Sequence, residues 1–159
     1  MGWLKANIDG SFSKEAAGVG GVIRNSLGKY IFYISSPTWE NDALETEMIA
    51  IFWAIYLSKQ CNISKLVIES DSSSFIKILN NVEAAPWNLV WWHNNIKRLL
   101  IKFDVHFQHI LREGNTPAHS LAIRGKETEE IAVGTIPPNK LALLLHEDTL
   151  SIPYLHCRD

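Results

Sequence analysis

The sequence predicts an α/β fold in which a three-strand antiparallel meander continues into strands joined by helices. The apolar periodicity changes along the chain in the order β-β-β-α-β-α-α-β-α. The 159 residues suit one domain, and 47% hydrophobic with 20% charged residues is an ordinary globular composition. Because strands connected through helices run parallel to each other, we expect a mixed sheet flanked by helices.

The meander comes from the first part of the chain. Apolar and polar residues alternate over residues 4–9, which is typical of a half-buried strand. A glycine-rich segment that ends in β-branched residues, 18–23, predicts the second strand, and 29–35 predicts the third. Residues 25–28 (NSLG) between them have turn composition. Three strands with short connections predict an antiparallel meander.

Helices and strands then alternate. The predicted elements are, in chain order, a helix over 44–60, a strand over 65–70, a helix over 72–81, a helix opened by Pro86 with apolar spacing as far as Phe103, a strand over 105–111 and a helix that begins at 115–117. A tail with two prolines and a short apolar run, 141–145, follows.

The composition indicates the cellular environment of the chain more clearly than it indicates what the chain binds. The net charge of −2 shows no overall basic excess of the kind that indicates nucleic-acid binding. The longest apolar run, 48–57, is far short of the ~20 residues that a membrane helix needs, and no signal-peptide core is present. Cys61 and Cys157 match no metal or redox spacing, and we expect Cys61 to be a buried thiol. We therefore expect a monomeric chain with no membrane association, in the cytoplasm or nucleus.

Three carboxylates stand at special positions. Asp9 lies on the first strand, Asp71 ends the fourth, and Glu47 lies on the helix face that carries Ala50 and Ala54. If the first and fourth strands are neighbours, the three acids meet near one end of the sheet. Clustered carboxylates repel one another, and Mg²⁺ with oxygen ligands removes that conflict. This pattern indicates metal-assisted attack on a phosphate, although Asp71 taken alone also suits a turn or an N-cap.

Five short segments stand out along the chain: residues 7–11 (NIDGS), 18–25 (GVGGVIRN), 45–50 (ETEMIA), 68–72 (IESDS) and 112–122 (REGNTPAHSLA). In their order and spacing they resemble the plant reverse-transcriptase-like branch of the ribonuclease H family. The resemblance implies a domain over residues 3–125 with a five-stranded mixed sheet, followed by an extension with a short helix over 126–159. It also implies Mg²⁺ dependence and endonucleolytic cleavage of RNA in RNA·DNA hybrids.

The same resemblance implies four metal ligands, which map onto Asp9, Glu47, Asp71 and His119. The family pattern has aspartate where this chain has His119. A neutral imidazole is a poor ligand for Mg²⁺ and an acceptable one for Mn²⁺. Three interpretations stay open: a weaker working ligand that favours Mn²⁺, an offset in the match, or a degenerate site. In the last case the chain is a retroelement-derived module that binds nucleic acid or protein without cutting.

The expected partner is an RNA·DNA hybrid or another nucleic acid. Ser11, Ser72 and Asn115 lie near the predicted ligands, and we expect them to contact nucleic acid, with turn and cap roles open for the serines. Three tryptophans, Trp87, Trp91 and Trp92, have helical spacing. We expect them to pack in the core, with one indole partly exposed, rather than to form a stacking platform for bases.

Overall fold

The computed structural model describes residues 2–39 and 42–155, with side chains as far as residue 147. Within these residues, six strands form one sheet in the order β5-β4-β1-β2-β3-β6. The strands are β1 (Leu4–Phe12), β2 (Ala17–Asn25), β3 (Tyr30–Thr38), β4 (Lys65–Ser70), β5 (Asp104–His109) and β6 (Ala132–Gly134). The sheet is mixed, because β1, β2, β3 and β6 pair antiparallel while β1, β4 and β5 pair parallel. The predicted α/β class and mixed sheet are confirmed.

In the part of the chain that the structure describes, five α-helices accompany the sheet. They are α1 (Ala43–Gln60), α2 (Ser73–Leu79), α3 (Val90–Leu99), α4 (Thr116–Glu127) and α5 (Asn139–Leu155), with single 3₁₀ turns at Trp87–Leu89 and Arg112–Asn115. Helix α1 begins at Asp42, whose Oδ1 accepts a hydrogen bond of 2.7 Å from the backbone N–H of Glu45. Pro117 stands in the first turn of α4, where its missing N–H costs nothing.

The sixth strand, β6, was not predicted. It has three residues, too few for an alternating pattern to appear in the sequence. Its pairing comes from the free edge of β3, with Ile34 opposite Val133. The five-stranded sheet that the resemblance implied is therefore extended by one short strand from the C-terminal part of the chain.

Helices α1 and α4 cover opposite faces of the sheet. The main core lies between α1, α2, α3 and one face, and includes Ile8, Ile51 and Phe75. Helix α4 packs on the other face directly against Gly20, where an added Cβ would lie 2.3 Å from backbone atoms of the helix. Only glycine permits this approach. Because Asp9 pairs with Gly20, its side chain is on the face that α4 covers.

The C-terminal helix α5 is longer than the short helix predicted for the tail. Leu141 is buried and packs with Val22 and Tyr33 on the face that carries α4. The division of the chain at residue 125 stays a prediction. Within the described residues, no helix has the length and apolarity required to cross a membrane.

Two predictions about buried side chains are wrong. Trp87 is 89% exposed and Trp91 is 63% exposed, and only Trp92 packs partly against the core. The turn at Trp87–Leu89 is 3₁₀, which changes the angular spacing of side chains, so Leu89 is buried instead of Trp87. Cys61 caps the end of α1 and is exposed rather than buried, and Cys157 lies outside the described residues.

Candidate metal centre

Three carboxylates from separate parts of the chain meet at one end of the sheet. Asp9 comes from β1, Glu47 from α1 and Asp71 from the residue after β4. One carboxylate oxygen of each lies within 4.8 Å of the others. The parallel pairing of β1 with β4 brings Asp9 and Asp71 together, and the docking of α1 on the sheet brings in Glu47.

Gly10 allows Glu47 to approach Asp9. An added Cβ at Gly10 would lie 2.9 Å from the backbone nitrogen of Glu47, so a larger residue would push α1 away. The backbone N–H of Gly10 donates a hydrogen bond of 3.1 Å to Glu47 Oε1. Glu47 Oε2 is buried and has no hydrogen-bond partner among the residues that the structure describes. The hydrogen bond from Gly10 thus holds Oε1 in place, and Oε2 is left available as a ligand.

Asp71 has two neighbours from the end of β5 and the 3₁₀ turn that follows it. Arg112 Nε lies 3.9 Å from Asp71 Oδ2, and the Arg112 side chain is 79% exposed. His109 Nε2 lies 3.2 Å from the backbone oxygen of Asp71. The Asp71 side chain therefore stands between the other acids and an exposed guanidinium.

His119 reaches the centre from α4. Its Nδ1 lies 2.6 Å from Asp9 Oδ2, and its side chain is 41% exposed whereas that of Asp9 is 6% exposed. The structure therefore brings three of the four predicted ligands, Asp9, Glu47 and Asp71, within 4.8 Å of one another, and it places His119 beside Asp9. His119 joins the cluster through its contact with Asp9.

The close packing of the acids changes their protonation. Burial is the main cause that raises the pKa of Asp9; the hydrogen bond from His119 opposes this rise, and the charge of Asp71 adds to it. Burial, followed by the negative charge of Asp9, raises the pKa of Glu47 well above its ordinary range. Without a bound cation, the folded chain favours a proton in this cluster.

The residues present fit a hard divalent cation. The donor set is carboxylate oxygen, which suits Mg²⁺ and Mn²⁺, and the unpartnered Glu47 Oε2 is a buried acceptor that lacks a positive partner. A cation at this position would remove both the repulsion between the acids and the cost of that unpaired oxygen.

Residues 7–125 match the sequence profile of the family described as reverse transcriptase-like. The chain belongs to this family. The matched segment contains all four residues of the centre, from Asp9 to His119. No curated protein matches the chain at a significant level.

Solved structures similar to this chain include ribonucleases H1. RNase H1 from Halobacterium salinarum has a TM-score of 0.74 and 21% identity, covering 78% of this chain and 97% of that one. LC11-RNase H1, isolated from compost and solved in complex with an RNA/DNA hybrid, has a TM-score of 0.73 and 19% identity, covering 78% and 96%. The foamy viral protease–reverse transcriptase with an RNA/DNA hybrid has a TM-score of 0.62 and 22% identity, covering 77% and 19%. At these identities the similarity shows a shared fold.

The three residues predicted to contact nucleic acid differ in accessibility. Ser72 is half-buried beside Asp71, and Ser11 is 9% exposed. Asn115 is 1% exposed, and its Nδ2 donates a hydrogen bond of 2.8 Å to the backbone oxygen of Ile8. Asn115 is therefore held by an internal contact with β1 in this structure, and the contacts of all three residues with nucleic acid stay predictions.

Sequence reasoning missed some polar residues beside the centre. It assigned no role to Arg112, and it did not single out Asn7 and Glu69, which are hydrogen-bonded to each other. A signal for the last two was present: each is a polar strand residue two positions before a ligand and therefore on the same face as that ligand.

Proposed function

We propose that this chain is a metal-dependent endonuclease that hydrolyses the RNA strand of RNA·DNA hybrids. The observation that carries the proposal is the convergence of Asp9, Glu47 and Asp71, whose carboxylate oxygens lie within 4.8 Å of one another. Membership of the reverse transcriptase-like family supports it, as does the shared fold with ribonucleases H1, one of which was solved with an RNA/DNA hybrid.

The proposed cofactor is Mg²⁺ or Mn²⁺, held by the three acids with His119 at the edge of the site. Such ions, when bound, neutralise developing charge on a phosphate and lower the pKa of a bound water. We infer a preference for Mn²⁺, because an imidazole nitrogen is a better ligand for Mn²⁺ than for Mg²⁺. His119 Nδ1 already contacts Asp9, so its Nε2 is the nitrogen that remains for a cation.

The other side chains have distinct roles in this proposal. Asp9, the most buried of the acids, lies between Glu47 and His119 and would hold a cation together with them. Glu47 presents Oε2 while the N–H of Gly10 fixes Oε1. Arg112, whose guanidinium is exposed beside Asp71, is positioned to meet a substrate phosphate.

The second candidate is a module of the same fold that binds nucleic acid or protein without cutting. His119 favours it, because an imidazole replaces a negative charge in the cluster and already occupies Asp9 Oδ2 at 2.6 Å. The exposed indoles of Trp87 and Trp91 suit a binding surface of either kind.

The test is hydrolysis of a hybrid with labelled RNA, measured in Mg²⁺ and in Mn²⁺. We expect the wild type to cleave faster in Mn²⁺, Asp9→Asn to be inactive in both, and His119→Asp to regain activity in Mg²⁺. Duplex DNA of the same sequence is the substrate control. Hybrid binding without cleavage by the wild type in either metal would exclude the enzyme, and gain of cleavage in His119→Asp would then support the binding module.

A further inference from the structure

A polar contact joins β1 to β4 directly behind the candidate metal centre. Asn7 Nδ2 donates a hydrogen bond of 2.9 Å to Glu69 Oε2. Both residues are buried, with Asn7 3% exposed and Glu69 6% exposed. Lys5 Nζ lies 2.8 Å from the other oxygen, Glu69 Oε1, and its side chain is 49% exposed. A buried carboxylate is thus held by an amide on one side and by a solvated ammonium on the other.

This contact stands where the pairing of the two strands stops. The parallel ladder of β1 and β4 runs from Leu4 opposite Leu66 to Asn7 opposite Glu69 and ends there. Side chains alternate along a strand, so Asn7 shares a face with Asp9, and Glu69 points to the same side as Asp71. The hydrogen bond therefore joins the two strands two residues before Asp9 on one strand and two residues before Asp71 on the other.

The strand ends beyond the contact carry like charges. One carboxylate oxygen of Asp9 lies within 4.8 Å of one of Asp71, so the two negative charges repel each other. No β1–β4 pairing past Asn7 opposes that repulsion within the described ladder. A hydrogen bond to an ionised acceptor is short and directional, so it resists separation of the strands at this point.

The ammonium of Lys5 matters for the charge balance. Glu69 lies two residues before Asp71, and its charge would add to the negative charge of the cluster if it were unpaired. The ion pair with Lys5 offsets that charge. Glu69 can then accept from Asn7 as a carboxylate without increasing the repulsion between the ligands.

We propose that Asn7 is a positioning residue of the metal centre: its hydrogen bond to Glu69 sets the separation of Asp9 and Asp71 and thereby the affinity for a divalent cation. This inference rests on the metal centre of the proposed function, but not on hybrid cleavage. Partners that orient metal ligands typically change metal affinity by about 10- to 100-fold when they are removed.

The test is direct binding of Mn²⁺ to the metal-free full chain by calorimetry, with thermal unfolding measured on the same samples. We expect Asn7→Ala to weaken Mn²⁺ binding by about tenfold. Glu69→Ala should have a similar effect, and the double variant should bind no more weakly than either single one, because both changes remove one contact. Glu69→Gln keeps an acceptor oxygen for Asn7 and should weaken Mn²⁺ binding less than Glu69→Ala does.

The matched control is Ile34→Val, a buried change on β3 in the same sheet that leaves the centre untouched. It should lower the unfolding temperature without changing Mn²⁺ affinity. If Asn7→Ala fails to fold, Asn7→Gln, which lengthens the donor by one methylene, should still weaken Mn²⁺ binding.

Loss of stability in the Asn7 variants with unchanged Mn²⁺ affinity would overturn the inference, as would an equal loss of affinity in Ile34→Val. A wild-type chain that binds no Mn²⁺ would overturn it together with the metal centre. A wild type that binds Mn²⁺ and cleaves no hybrid would refute the proposed enzyme and leave the comparison of Asn7 variants valid.

Discussion

Glu47→Gln should stabilise the metal-free protein and should greatly reduce the stabilisation that a bound cation gives. In the wild type, Glu47 Oε2 is buried without a hydrogen-bond partner in the described structure, and it faces the charge of Asp9. A glutamine keeps the oxygen that accepts from the N–H of Gly10. Its amide replaces the second oxygen with a donor that can bond to the Asp9 carboxylate, so repulsion becomes attraction.

The magnitude follows from the cost of an unsatisfied buried group. Leaving such an acceptor unpaired costs about 1–3 kcal/mol, and more for a charged group. We therefore expect Glu47→Gln to raise the free energy of unfolding without metal by about 1–3 kcal/mol once the pH exceeds the raised pKa of Glu47 and the wild-type carboxylate is ionised. For a chain of this size the unfolding temperature should rise by roughly 2–12 °C.

The difference between variant and wild type should depend on pH. Burial raises the pKa of Glu47 in the folded chain above its ordinary value of 4.5. The folded state therefore holds this proton more tightly than the unfolded state does. The corresponding stability is complete below the ordinary value and is lost as pH rises through the raised pKa. The advantage of Glu47→Gln should accordingly be small at pH 4 and grow toward neutral pH.

The assay is urea unfolding in chelator at several pH values, repeated with Mn²⁺. A saturating cation should stabilise the wild type, by about 2.7 kcal/mol at 100 times its dissociation constant, and stabilise Glu47→Gln much less. Glu15→Gln, an exposed change in the β1–β2 turn, is the control and should match the wild type. The reasoning is refuted if Glu47→Gln is less stable than the wild type without metal once the pH exceeds the raised pKa of Glu47, or if the difference does not vary with pH.

Other changes test the surroundings of the centre. Asn115→Ala leaves the buried oxygen of Ile8 without its donor and should lower the free energy of unfolding by about 1–3 kcal/mol, measured by urea unfolding; an unchanged midpoint would contradict this. Gly20→Ala would place a methyl 2.3 Å from backbone atoms of α4, so overpacking should lower the free energy of unfolding by about 1–3 kcal/mol or more. An unfolding temperature like that of the wild type would show that α4 is not packed as described. His119→Ala removes the hydrogen bond that opposes the rise in the pKa of Asp9; the Asp9 carboxyl should then titrate at higher pH by NMR, and a lower value would refute the contact.

Much of the fold and the candidate ligands could be predicted from the sequence because the signals are local. Alternation in residues 4–9 and helical spacing in 44–60 show which side chains face a core. An acid such as Glu47 on an apolar helix face marks a position that needs a partner. Elements of three residues, such as β6, are too short to carry such a pattern and depend on the strand beside them.

The sequence by itself determined the order of the elements from β1 to α4 and the chemical types of the candidate ligands. Only the tertiary structure decided that Trp87 lies outside the core, that Asn115 lies inside it, and that Asn7 meets Glu69 across two strands. The physical reason is that periodicity specifies the face on which a residue stands. Strand register and helix docking decide which residues cover that face. They bring together residues that are distant in the sequence, such as Asp9 and His119.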